Sequence, residues 1–179
     1  MRVLGLIFLF IVSAFFVNAL SLVRLDLAPA DPLHTLTQDF PVPAELLETL
    51  DGGELSAETM PKEPALIVFF GTWCRPCLME HTLLNELAAR TDLPFIGVAM
   101  RDDPEKVRAL LKSRGNPYRT VALDPKMKWA RRFSAESLPA AYLTDAKGKV
   151  IYRFRGLLTD DFFENEILPK AKEVRHEAP

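Results

Sequence analysis

The sequence predicts an α/β protein whose mixed central sheet carries helices on both faces. Three observations carry that expectation. Two runs, Ala65–Phe70 and Phe95–Met100, are continuously apolar and rich in strand-forming residues, as strands buried on both faces are. The segments that follow them place apolar residues at helical spacing and open with a capping residue or a proline. Near the C-terminus two apolar-rich segments flank Asp145-Ala146-Lys147-Gly148, a hairpin signal that adds antiparallel strands to the set. A chain of 179 residues suits one cored domain with an appendage.

Composition narrows the function classes. Hydrophobic residues make up 49% and charged residues 26%, which is globular composition. Lys+Arg number 22 against 24 Asp+Glu, leaving a net charge of -2 and no basic footprint for nucleic acid. Two cysteines exclude a disulfide-rich scaffold and an all-cysteine metal site within one chain.

The elements follow in chain order. Residues 1–23 are uncharged from Val3 to Val23, enough to span a hydrocarbon core of roughly 30 Å at about 1.5 Å per residue. This segment reads as a signal anchor or transmembrane helix, with cleavage after Val17-Asn18-Ala19 as the competing reading. Either way the remainder is exported. Residues 24–43 carry Pro29, Pro32, Pro41 and Pro43 among polar residues and read as a tether. The domain is expected over 44–175, with a tail at 176–179. Asp51-Gly52 between Leu47 and Leu55 predicts a hairpin, although a short helix would also suit residues 45–50.

After the first buried strand, Pro76 opens a helix to about Arg90 whose inward stripe is Cys77, Glu80, Leu84 and Leu87. Asp103-Pro104-Glu105 caps a second helix carrying Val107, Leu110 and Leu111 and closing at Gly115. A third strand is expected over 118–123. Asp124-Pro125 then begins a short helix holding Met127, Ala130 and Phe133. Strands Ala140–Thr144 and Lys149–Arg155 form the hairpin. A last helix from Thr159-Asp160 buries Phe162, Phe163 and Ile167, and the charged residues from Lys170 onward fray.

The chemistry lies at the first strand–helix junction, Thr72-Trp73-Cys74-Arg75-Pro76-Cys77. Cys-x-x-Cys after a buried strand and at a helix start is the context of redox-active pairs. Unpaired backbone N–H groups and the helix dipole stabilise a thiolate at Cys74, and Arg75 adds a cation beside it. Cys74 is expected to be exposed and nucleophilic, with Cys77 shielded one turn inside as the resolving thiol. A structural staple of four residues would contribute only about 2 kcal/mol. A metal site would have Cys74, Cys77 and His81, but His34 and His176 fall in the tether and tail. His81, off the stripe, reads as a solvated helix residue. Glu80, if it faces inward, is desolvated with a raised pKa; spacing alone leaves it equally able to reach solvent. Pro139 is either an ordinary strand-start proline or a cis-proline packed opposite the cysteines, offering a backbone edge to a client peptide.

These residues resemble a known family. Gly71-Thr72-Trp73-Cys74-Arg75-Pro76-Cys77 followed by Glu80-His81, then Arg101-Asp102-Asp103, Gly115-Asn116-Pro117-Tyr118, Pro139 and Glu166-Ile167-Leu168-Pro169 are similar to the membrane-anchored thioredoxin-like proteins of cytochrome c maturation, CcmG, also called DsbE. The resemblance covers residues 40–172. It implies a thioredoxin-like fold with an N-terminal membrane anchor, single-pass in the inner (cytoplasmic) membrane, and a periplasmic thiol–disulfide oxidoreductase. Its implied clients are the haem-attachment cysteines of apocytochrome c or a partner thiol protein, with a membrane thiol transporter as electron donor. Cys74, Cys77 and Glu80 would be catalytic; Trp73, Arg75, Pro76 and Pro139 would meet the client. No metal or organic cofactor is implied, because the dithiol itself carries two electrons. Two positions depart from the family pattern: Ala140 stands where an acidic residue usually follows the cis-proline, and Ser137-Leu138 replaces a Gly-Val/Ala pair. The rival readings are a general periplasmic thiol reductase or oxidase, and a non-catalytic holdase binding peptide along the Pro139 edge.

Overall fold

The computed structural model describes residues 40–176; the expected anchor at 1–23, its alternative cleavage site and the last residues of the tail lie outside them. Among the described residues no helix is long and apolar enough to cross a membrane.

A six-stranded mixed sheet organises the domain, in the order β1-β8-β7-β4-β5-β6. Its centre is β4 (Ala65–Phe70), paired in parallel with β5 (Phe95–Met100), and every residue of both strands is buried. Their unbroken apolar runs are explained by the layers on either side, which leave no solvent face. β6 (Thr120–Asp124) continues the parallel set, while β7 (Ala140–Thr144) and β8 (Lys149–Arg155) add the antiparallel hairpin. β1 (Phe40–Pro41), at the end of the segment expected to be tether, pairs with the outer edge of β8. The expected N-terminal hairpin is present as β2 (Leu47–Glu48) and β3 (Glu54–Leu55), with Leu47 opposite Leu55. Gly52 adopts φ 84 in its turn, a conformation open to glycine.

The helices are α1 (Arg75–Arg90), α2 (Pro104–Arg114), α3 (Lys128–Arg132), α4 (Asp160–Phe162) and α5 (Leu168–His176), with a π-helical turn at Phe163–Ile167 between the last two. One core joins Leu84 and Leu87 of α1, Val107 and Leu111 of α2, and Phe163 and Ile167 of the C-terminal run to one face of the sheet. The other core is closed by Trp129 and Ala130 of α3, Phe133, and Leu47 and Leu55 of the small hairpin. Both faces are covered as expected, but the second by a five-residue helix and a hairpin.

Three boundaries and the burial of Phe162 differ from the sequence reading, each for a local reason. The third strand starts at Thr120, because the Tyr118 amide donates to the Asn116 side chain. The short helix starts at Lys128 and not at Asp124: Met127 sits at φ 54, and the buried Asp124 carboxylate accepts from the amides of Lys128 (2.6 Å) and Ala130 (2.9 Å). Phe162 is half-buried, its ring 4.6 Å from that of Phe154. The charged segment from Lys170 stays helical to His176, because Ala171 is buried and Lys170 pairs with Glu166 at 2.8 Å.

Trp129, which periodicity did not single out, is fully buried, stacks on Phe133 and donates its indole N–H to the Glu45 carbonyl at 2.8 Å. Trp129→Ala should lower stability by about 3–5 kcal/mol, whereas truncation of the exposed Leu46 should change it by under about 0.5 kcal/mol. Urea midpoints of the two variants check this.

Candidate active site

Gly71 ends β4, and only glycine fits there, because an added Cβ would lie 2.7 Å from the Trp73 indole nitrogen. The loop that follows is pinned to the end of β5. Asp102 accepts the Thr72 amide (2.5 Å) and hydroxyl (2.7 Å), and the Trp73 indole N–H donates to the Met100 carbonyl at 2.9 Å. The Cys74 amide donates back to Gly71 (3.0 Å), and Cys74 takes the extended N-cap conformation of α1. Its sulfur accepts the Cys77 amide at 3.2 Å, the place a Ser or Asp oxygen takes in an ordinary cap. A sulfur so placed is already solvated by a backbone donor when it carries negative charge. Cys74 and Cys77 form a disulfide with Cα atoms 5.3 Å apart.

Exposure does not separate the pair as the sequence suggested. Cys74 is 5% exposed and Cys77 4%, and both belong to the same core cluster as Leu84 and Phe70. What distinguishes Cys74 is its place at the helix end, between exposed Trp73 on one side and exposed Arg75 and Pro76 on the other.

Leu138-Pro139 is a cis peptide, and Pro139 is buried. The register that pairs Ala140 with Phe69 sets Pro139 beside the end of β4 that leads into Cys74. Its carbonyl accepts the Gly156 amide at 3.1 Å. Behind it, the guanidinium groups of Arg153 and Arg155 both donate to the Ser134 carbonyl, at 2.7 and 2.5 Å, tying the loop to β8. Ala140 is buried.

Glu80 faces inward on α1, one turn beyond Cys77, and is 6% exposed. Its carboxylate accepts the Leu158 amide at 2.9 Å. Burial pushes its pKa from 4.5 up to about 7, against the smaller downward pull of that hydrogen bond. A redox pair at a strand–helix junction, a cis-proline beside it and a buried carboxyl beneath it can exchange a dithiol for a disulfide and take up the proton released.

The Redoxin family profile matches residues 31–167 of this chain. The Escherichia coli K12 thiol:disulfide interchange protein DsbE is 33% identical over 141 residues, spanning 77% of this chain and 76% of its own. The Paracoccus denitrificans DsbE homolog is 31% identical over 128 residues, 70% of each chain. The chain belongs to the redoxin family, among the DsbE-type thiol:disulfide interchange proteins. Two solved structures share the fold: a secreted Mycobacterium tuberculosis disulfide oxidoreductase homologous to E. coli DsbE (TM-score 0.62, 20% identity, 70% of this chain and 96% of that one) and a Corynebacterium diphtheriae DsbF homologue (TM-score 0.65, 20% identity, 82% and 95%). This redoxin is therefore a thiol–disulfide oxidoreductase of thioredoxin-like fold.

Several residues of the redoxin site escaped the sequence reading or contradict it. His81, expected in solvent, is 2% exposed; its Nε2 lies 2.9 Å from the Gly115 carbonyl, so the α2 terminus covers it. The Tyr118 ring stacks on Phe70 and sits against Gly97, and its buried hydroxyl is raised in pKa by burial first and by the charge of Glu80 second. Asp102 and Leu158 hold the site from 30 and 78 residues away along the chain, a separation no local pattern reports.

The pKa of Glu80 has a stability consequence. Its folded value lies above the unfolded one, so on raising the pH the unfolded chain releases the proton first, and stability falls between about pH 4.5 and 7. The shift corresponds to about 3 kcal/mol of destabilisation well above pH 7. Glu80→Gln keeps an acceptor for Leu158 and removes the charge. In the disulfide form it should match the parent near pH 4 and exceed it in denaturant midpoint near pH 8. Equal midpoints at both pH values would show an unperturbed carboxyl.

Proposed function

We propose that this redoxin is a reductase on the periplasmic side of the inner (cytoplasmic) membrane, held there by residues 1–23. It reduces the haem-attachment cysteines of apocytochrome c, or a partner thiol protein of that pathway, and is itself reduced by a membrane dithiol transporter. Similarity to DsbE proteins over most of the chain and the uncharged run from Val3 to Val23 support this reading. The observation that carries it is the Cys74–Cys77 disulfide at the start of α1 with Glu80 buried one turn beyond.

In this reading the Cys74 thiolate attacks one sulfur of the client disulfide. A Cys74–client disulfide forms, and the second client sulfur leaves as a thiolate that takes a proton from solvent. Cys77 then gives its proton to Glu80 and attacks the Cys74 sulfur, which breaks the mixed disulfide, and the first client sulfur leaves as a thiolate that takes a proton from solvent. Two electrons have passed to the client, and the enzyme is left with the Cys74–Cys77 disulfide. Trp73, Arg75 and Pro76 frame the client on one side, and the backbone at Pro139 docks it on the other.

Removing the resolving thiol should arrest this cycle. Cys77→Ser is expected to accumulate mixed disulfides through Cys74, Cys74→Ser none, on non-reducing gels of cells. Mass spectrometry of the adducts should find c-type apocytochromes or a thiol protein of their assembly. Adducts only on the Cys77 thiol would reverse the assigned roles, and unrelated partners alone would replace this client with a general thiol-reductase role.

A further inference from the structure

Two arginines adjoin Trp73-Cys74. Arg75 follows Cys74 directly and is exposed in the first turn of α1. Arg101 comes from the other side, just past the end of β5. Its backbone sits at φ 45, a region non-glycine residues seldom occupy, and its amide donates to the Asp124 carbonyl at 3.2 Å. That conformation sets its guanidinium carbon 5.5 Å from the centre of the Trp73 ring, itself 50% exposed. The ring shields one side of the cation from water, which strengthens its pull on an anion arriving from the other.

Neither arginine is ion-paired among the described residues. The neighbouring acids are engaged elsewhere. Asp102 gives both oxygens to Thr72, Asp103 caps α2 through the amides of Glu105 and Lys106, and Glu80 is buried beneath the disulfide. Glu136 is exposed on the loop three residues ahead of Pro139. Ala140, next to Pro139, adds no charge. Arg75 and Arg101 are thus cations without an ion pair among the described residues, one following Cys74 and the other over the Trp73 ring, on a chain whose net charge is -2.

We propose that Arg75 and Arg101 form a cationic rim that recognises a carboxylate beside the reacting cysteine of the client, so that acid-flanked disulfides react preferentially. This rests on the reading that the client docks at Cys74. Exposed ion pairs are each worth a small factor, so the two together correspond to a preference of about three- to tenfold.

The test uses the full chain in neutral detergent, reduced with dithiothreitol and freed of excess reductant. Two peptides with an intramolecular disulfide, identical except for Glu or Lys next to one cysteine, are reduced in single turnovers. Each rate is divided by that of free dithiothreitol, which removes differences in the peptides' own reactivity. The Glu peptide should be preferred by about three- to tenfold at low salt, and less at about 0.5 M salt. Arg101→Gln should bring the ratio toward one and Arg101→Lys should keep most of it. Because both peptides meet the same Cys74, the ratio is blind to changes in the intrinsic reactivity of that sulfur. A parent ratio of one, or a ratio unmoved by Arg101→Gln, would overturn the rim while leaving the reductase intact. No reduction of either peptide would overturn the exchange chemistry and the rim with it.

Discussion

Burying one carboxyl beneath a redox disulfide is the constraint on which the rest of this site depends. Desolvation makes the charged form of Glu80 expensive, and its one backbone donor, the Leu158 amide, offsets that only in part. The same hydrogen bond joins α1 to the segment after β8. Two residues earlier in that segment, the Gly156 amide holds the Pro139 carbonyl. The buried Glu80 carboxyl is thereby linked, through a few backbone groups, to the cis-proline.

The sheet supplies the fixed frame for these contacts. β4 delivers Cys74 at its C-terminal end and β7 delivers Pro139 beside it, because the two strands pair with Phe69 opposite Ala140. β5 ends alongside and sends Asp102 back to hold Thr72, so the loop before Cys74 is fastened to a neighbouring strand. Arg153 and Arg155, reaching from β8 to the Ser134 carbonyl, fasten the loop before the proline in the same way. Pro139 and Asp102 thus sit within one or two residues of a fully buried strand end, and Cys74 four residues past another, where backbone position is strongly determined by packing.

Much of this was legible in the sequence because it is local. Strand runs, cap residues, the Cys-x-x-Cys junction and the inward stripe through Cys77, Glu80, Leu84 and Leu87 are short-range patterns, and the structure carries them. What was misread depends on partners distant in the chain. His81 looked solvated until the end of α2 closed over it, and Cys74 looked open because its place in the core with Phe70 and Leu84 leaves no periodic trace. The late start of α3 shows the same limit in miniature. Asp124 caps that helix from the strand before it, across a left-handed Met127, and the spacing alone read the aspartate as the helix's own first residue.

The central claim is that Glu80 is a buried carboxyl able to exchange its proton near neutral pH. The direct measurement is a titration of its side-chain carboxyl by carbon-13 NMR in the disulfide form, assigned by comparison with Glu80→Gln. A midpoint near 7, well above the ordinary glutamate value of 4.5, is expected from its burial. A midpoint near 4.5, the ordinary glutamate value, would contradict it and remove Glu80 from the proton path.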